Sequence, residues 1–226
     1  DGIREIIQCY TRESGVRNLE RAFAEICRNG FNYVREAINE QDPEKFDKIN
    51  DKLIKYEEIT DRIEYEIASY LNEVSKNEIS EEAKERIKAM YKIIGELESL
   101  GDSGEAISRI LSRRNIHKKS FDQETVKKME EMVTAVEYAY DVMITNLTAA
   151  HEGSLEMVSN AYNAEDRINN LRDYLRDSEI EELESNRKNY QTSVDYMDVF
   201  SELEKMGDFM INISQTLERS FIRHKA

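Results

Sequence analysis

From Phe46 to Val74, seam positions recur every three or four residues: Phe46, Ile49, Leu53, Tyr56, Thr60, Ile63, Ile67, Tyr70 and Val74. That spacing draws one continuous stripe along a helix, and a stripe this long confines the chain to long helices that bury it against one another. The pattern returns through Ile87, Met90, Ile94, Leu97, Gly101 and Leu111. It returns again through Val126, Met129, Val133, Val136, Tyr140, Met143 and Leu147, and finally through Tyr196, Val199, Leu203, Met206, Met210, Ile213 and Leu217. Little interrupts it, for the 226 residues include one proline and eight glycines. The expected fold class is all-α.

Helix punctuation divides the chain. Asp42-Pro43-Glu44 places an N-cap residue, a proline suited to the first helical position and an acid in order. Ser80-Glu81-Glu82 opens the next helix, and Asp122 opens another. The basic stretch "SRRNIHKKSF" breaks the periodicity, after which the cycle of helix, turn, long helix, turn, long helix repeats. Short turns make neighbours antiparallel, so the expectation is two tandem up-down-up three-helix bundles, residues 30–112 and 122–226, joined by residues 113–121. Gly15 and Gly30 interrupt the region before them, and residues 1–29 read as a separate helical segment.

Charge narrows the partners. A formal net charge of −15 repels nucleic-acid phosphates and anionic lipid headgroups and attracts cations or a basic partner surface. Cys9 and Cys27 form no CxxC pattern, in keeping with a reducing cytoplasm. No apolar run approaches the roughly 20 residues of a membrane span, and no signal peptide is read.

The candidate chemistry lies in carboxylates written twice. "ELESLGD" and "ELEKMGD" place Glu98 with Asp102, and Glu204 with Asp208, four residues apart on one helix face; Glu105 extends the first stripe. The preceding helix of each half carries Glu57, Glu58, Asp61 and Glu64 in "YEEITDRIE", matched 108 positions later by Glu165, Asp166 and Asn169 in "NAEDRINNL". Two antiparallel helices with these stripes beside a shared seam bring several carboxylates together, and a hard cation relieves their repulsion. Gly101 and Gly207 then have a purpose, since a missing side chain lets another helix or a ligand come close. A solvated acidic helix face remains the alternative, because Glu137 and Asp141 fit the same loose spacing. His117, His151 and His224 have no ligand spacing, and the Glu-x-x-His of diiron proteins is missing, which disfavours redox chemistry.

At these residues the chain resembles the PhoU family. "EEITDRIE" with "ELESLGD", and "AEDRIN" with "ELEKMGD", are similar to its duplicated signature, Glu-Asp-x-x-Asp followed by Asp/Glu-Leu-Glu-Arg-Ile-Gly-Asp, over about residues 30–226. "NGFNYVREAINEQDPEKFDKIND" is further similar to the PhoU-like domain of bacterial sodium-dependent phosphate cotransporters. The resemblance implies a duplicated three-helix repeat with metal clusters on the acidic stripes, matched here by Glu57, Asp61, Glu98 and Asp102 and by Glu165, Asp166, Glu204 and Asp208. The implied cofactors are divalent or trivalent ions: iron, zinc, manganese, magnesium or calcium. Asn169 stands where the signature has Asp, which favours the first half as the metal binder. Residues 5–28, "EIIQCYTRESGVRNLERAFAEICR", instead resemble the small helical ATPase subdomain of Lon proteases, where the arginine after Gly-Val, here Arg17, senses nucleotide. Nothing else of Lon is present, so the segment reads as a fused piece without ATPase or protease activity.

The expected function is a non-enzymatic, metal-binding regulator of phosphate uptake, cytoplasmic or the cytoplasmic domain of a membrane protein. Its expected partner is a membrane phosphate transporter or the transporter's regulatory subunits, not nucleic acid; homo-oligomers fit the same expectation. The alternatives are a metal-free interaction module and a carboxylate-bridged hydrolase or oxidase.

Overall fold

The computed structural model describes residues 15–222, apart from residues 77, 117–120, 153 and 186. His117, His224 and Cys9, with the first part of the Lon-like stretch, lie outside the described residues, as do the side chains of Arg17 and His151. The helices are α1 (Gly15–Asn39), α2 (Pro43–Ser75), α3 (Glu81–Ile116), α4 (Gln123–Glu152), α5 (Ser159–Glu184) and α6 (Tyr190–Leu217), with a closing π turn, Glu218–Ile222. No strand occurs among the described residues. The fold is an all-α helical bundle.

The punctuation acts as its chemistry requires. Asp42 accepts hydrogen bonds from the backbone N–H of Glu44 and Lys45, with Pro43 in the first helical turn. Ser80 Oγ accepts from Ala83 N at 3.2 Å, and Asp122 Oδ1 accepts from Thr125 N at 2.7 Å. Each cap satisfies an N–H that the first turn leaves without a helical partner.

Two sequence expectations change. Gly30 does not interrupt α1, which runs unbroken through it. Phe31, Val34, Ala37 and Ile38 are all buried, and their packing outweighs the roughly 1 kcal/mol that an interior glycine costs a helix. The basic stretch also starts as helix, since α3 extends to Ile116. Arg114 holds that end in place. It is 2% exposed, donates to the Glu40 carbonyl at 3.0 Å and lies over the rings of Phe46 and Phe121, at 5.9 and 5.2 Å. Arg113 and Arg114 in the last turn also complement the negative end of the helix dipole.

Within each half the three helices pack on one another, α1 with α2 and α3, and α4 with α5 and α6. The halves are not separate bodies. The third helices, α3 and α6, form the most extensive contact in the molecule, and α1 packs on α4. One apolar core therefore runs through both halves, from Phe31 and Leu53 through Leu97 and Leu203 to Ile168 and Leu175.

An ionic knot closes one end of the second half. Glu179, 1% exposed, accepts from Ser193 Oγ and faces Lys188 Nζ at 3.5 Å. Lys188 also meets Glu182 at 3.2 Å, Asp122 at 3.5 Å and Thr125 Oγ1 at 2.5 Å, so it ties the loop before α6 to α5 and to the start of α4.

Candidate metal centre

The site is set by how closely α2 and α3 approach. A Cβ on Gly101 would fall well inside contact distance of Thr60 Oγ1, and would lie 3.2 and 3.3 Å from Thr60 Cβ and Cγ2. Thr60 is buried, its hydroxyl donating to the Glu57 carbonyl at 2.8 Å. The glycine thus receives the turn of α2 that carries Glu57 and Asp61, and the next residue of α3 is Asp102. Close helix approach and the acidic stripe are one construction.

Glu57, Asp61 and Asp102 each bring a carboxylate oxygen within 4.8 Å of the others. This is the one such trio found among the described residues. Glu57 is half-buried, whereas Asp61 and Asp102 are exposed. Glu98, half-buried one turn before Asp102, stands outside the trio but feels it. No ion pair to Glu57, Asp61, Glu98 or Asp102 occurs among the described residues. Arg109, whose charge reaches Asp102, is bonded to Glu105 at 2.8 Å.

The crowding acts on the carboxyl groups themselves. Burial, then the charges of Asp102 and Asp61, push the Glu98 carboxyl up to about 7. Burial followed by Asp61 raises both Glu57 and Asp102. A carboxyl raised in the fold holds its proton more tightly folded than unfolded, so stability falls as pH climbs from the ordinary carboxylate range through about 7. Metal-free protein should therefore melt higher at about pH 5.5 than at about pH 8, and saturating metal should shrink that difference. Melting curves in chelator that rise towards the alkaline side would contradict this account of the cluster.

An all-carboxylate donor set without an internal cation suits a hard ion, so the first half fits the metal that its sequence suggests. Glu57, Asp61 and Asp102 would hold the ion directly, with Glu98 alongside.

The second half is arranged differently. Burial raises the Glu165 carboxyl, and the charges of Asp208 and then Asp166 act in the same sense. Glu204 instead bonds to the guanidinium of Arg172, whose Nη2 lies 3.1 Å from Asp173. The glycine device is nevertheless conserved between halves, since a Cβ on Gly207 would lie 2.9 Å from Ile168 Cδ1. Arg172 escaped the sequence reading, which looked for acids only. The signal lay 108 positions upstream, where the first half has Glu64.

Cys27 takes no part in this chemistry. It is buried, its thiol directed at the Leu97 carbonyl at 3.7 Å, and burial pushes its pKa up to about 12.

Comparison with solved structures places the fold. The chain is similar to PhoU from Pseudomonas aeruginosa, with a TM-score of 0.69 and 13% identity, over 91% of this chain and 94% of that one. It is similar to the phosphate transport system regulatory protein PhoU from Streptococcus pneumoniae, with a TM-score of 0.68, 14% identity and the same coverage. The family model of the Lon protease AAA+ ATPase lid domain matches residues 1–46, so that likeness overlaps all of α1, which packs into the common core. Curated protein sequences gave no match. No helix among the described residues is long and apolar enough to cross a membrane.

Proposed function

We propose that the protein is a non-enzymatic regulator of phosphate uptake that binds a divalent or trivalent metal ion through Glu57, Asp61 and Asp102, with Glu98 alongside. It acts on a membrane phosphate transporter from the cytoplasmic side. The observation that carries this reading is the trio of carboxylates held within 4.8 Å by a PhoU-like bundle. A merely solvated face would have let those acids splay apart, because separation costs an exposed side chain almost nothing, whereas like charges at close range repel. The second solved neighbour is a phosphate transport system regulatory protein, which supports the regulatory role over a hydrolytic one.

The test is elemental analysis of the purified protein after loading with iron, zinc, manganese, magnesium or calcium. Wild type should take up metal and Asp61→Ala/Asp102→Ala should lose it. The same double variant, freed of mutual repulsion, should melt no lower than wild type in chelator, which separates lost ligation from lost folding. Phosphate uptake by cells lacking the protein should be restored by wild type and not by the double variant. Equal metal content in the two proteins, or equal restoration by both, would sink the reading.

A further inference from the structure

The two halves can be compared position by position, because the structure keeps them in register. Gly101 receives Thr60 in the first half, and Gly207 receives Ile168 in the second. Those pairs fix an offset of 108 residues between α2 and α5 and of 106 between α3 and α6. On that register Glu57, Glu58, Asp61, Glu64, Glu98, Asp102 and Glu105 become Glu165, Asp166, Asn169, Arg172, Glu204, Asp208 and Ile211. Seven acids, formally −7, become four acids and one base, formally −3.

The three replacements act together. Asn169 removes a carboxylate from the position of Asp61, a member of the first-half trio. Ile211, buried, stands where the first half has the acid Glu105. Arg172 puts a permanent positive charge where the first half has Glu64, bonds to Glu204 and extends its field to Asp208. A metal at this place would have to displace a guanidinium from Glu204 and then manage without the Asp61 equivalent.

We propose that the second half holds no metal ion, and that Arg172 serves as its built-in cation. The proposal rests on the metal reading of the first half for its contrast, and it makes the protein a single-site metal binder. One half answers to metal supply, while the other carries a permanent cation against Glu204 and does not depend on metal.

The experiment starts from Asp61→Ala/Asp102→Ala, so that the second half is read alone, with Mn²⁺ as the probe in equilibrium dialysis and thermal melts. This parent should take up no Mn²⁺ and should melt at the same temperature with Mn²⁺ or with chelator. Adding Asn169→Asp/Arg172→Glu should create uptake of about one equivalent per chain and a melting temperature that rises with Mn²⁺. Uptake by the parent that disappears with Glu165→Ala/Asp208→Ala overturns the proposal. So does a folded exchange variant that takes up nothing, because Arg172 and Asn169 would then not be what excludes the ion. Should the exchange variant fail to fold, Asn169→Asp/Arg172→Gln in the same parent replaces it, and a melting temperature unmoved by Mn²⁺ overturns the proposal. Wild type compared with the parent reads the first half separately: equal uptake by both refutes the first-half site and leaves the second-half result standing.

Discussion

Lys188→Met should be among the most damaging single substitutions in the second half, lowering stability by about 3–5 kcal/mol. The side chain is 7% exposed and its ammonium is the cation facing Glu179, a carboxylate 1% exposed. Methionine fills similar volume, so the loss is one of charge compensation. Glu179 would keep the hydroxyl of Ser193, and Lys128 would still bond Glu182 at 2.8 Å, but the deepest acid would have no cation against it. Desolvating a charge is expensive, and breaking a buried pair from one side leaves that cost uncompensated. For a chain of this size the loss corresponds to a fall in melting temperature on the order of 10 °C. Glu179→Gln placed on Lys188→Met should recover much of it, because an amide needs no counter-charge. A shift below about 1 kcal/mol in Lys188→Met, read by urea unfolding, would show that the knot is solvated rather than buried.

This knot shows what kind of information the sequence withheld. Helix existence was legible because it depends on local order: Asp42-Pro43 cap α2, and the seam of α6 from Tyr196 to Leu217 is buried throughout as spaced. The glycine approach was legible too, since Gly101 and Gly207 sit where a good helix former would otherwise be expected. The contact of α3 with α6 was not drawn from the seams, although a trace of it was present. In α6, Phe200, Gly207, Ile211 and Ser214 are buried alongside the seam, a stripe too wide for one partner, because this helix has neighbours in both halves. Arg114 read as part of a basic linker because sequence alone cannot place Phe46 and Phe121 around it. Of the acids, Glu57, Asp61 and Asp102 converge, whereas Glu98 stays outside them and Glu204 is claimed by Arg172. Spacing puts residues on a face, but which charges end up paired depends on what the opposing helix presents.

Gly101→Ala tests the link between helix approach and the metal centre. Two effects oppose each other. Alanine favours a helix over glycine by roughly 1 kcal/mol, and at Gly95, where an added Cβ meets nothing within 4 Å, that gain should appear undiminished. At Gly101 the same methyl group is driven into Thr60, which is buried, β-branched and already hydrogen-bonded to its own helix. Overpacking of this kind costs about 1–3 kcal/mol and here exceeds the propensity gain, so the two substitutions on one helix should have opposite signs and differ by that overpacking cost, about 1–3 kcal/mol. Thr60→Ala should rescue Gly101→Ala, removing Oγ1 and Cγ2 and leaving only the Cβ contact at 3.2 Å. Gly207→Ala should be milder, because it meets the movable end of Ile168 rather than atoms next to the backbone. The displacement also has a direction. Pushing Thr60 outward carries Glu57 and Asp61 away from Asp102, so Gly101→Ala should weaken metal binding while Gly95→Ala leaves it unchanged. If the Gly101→Ala protein is as stable as the Gly95→Ala protein, the close approach of α2 and α3 is not what assembles the carboxylates. If it is less stable but binds metal as wild type does, the approach secures the fold and the site tolerates its loosening.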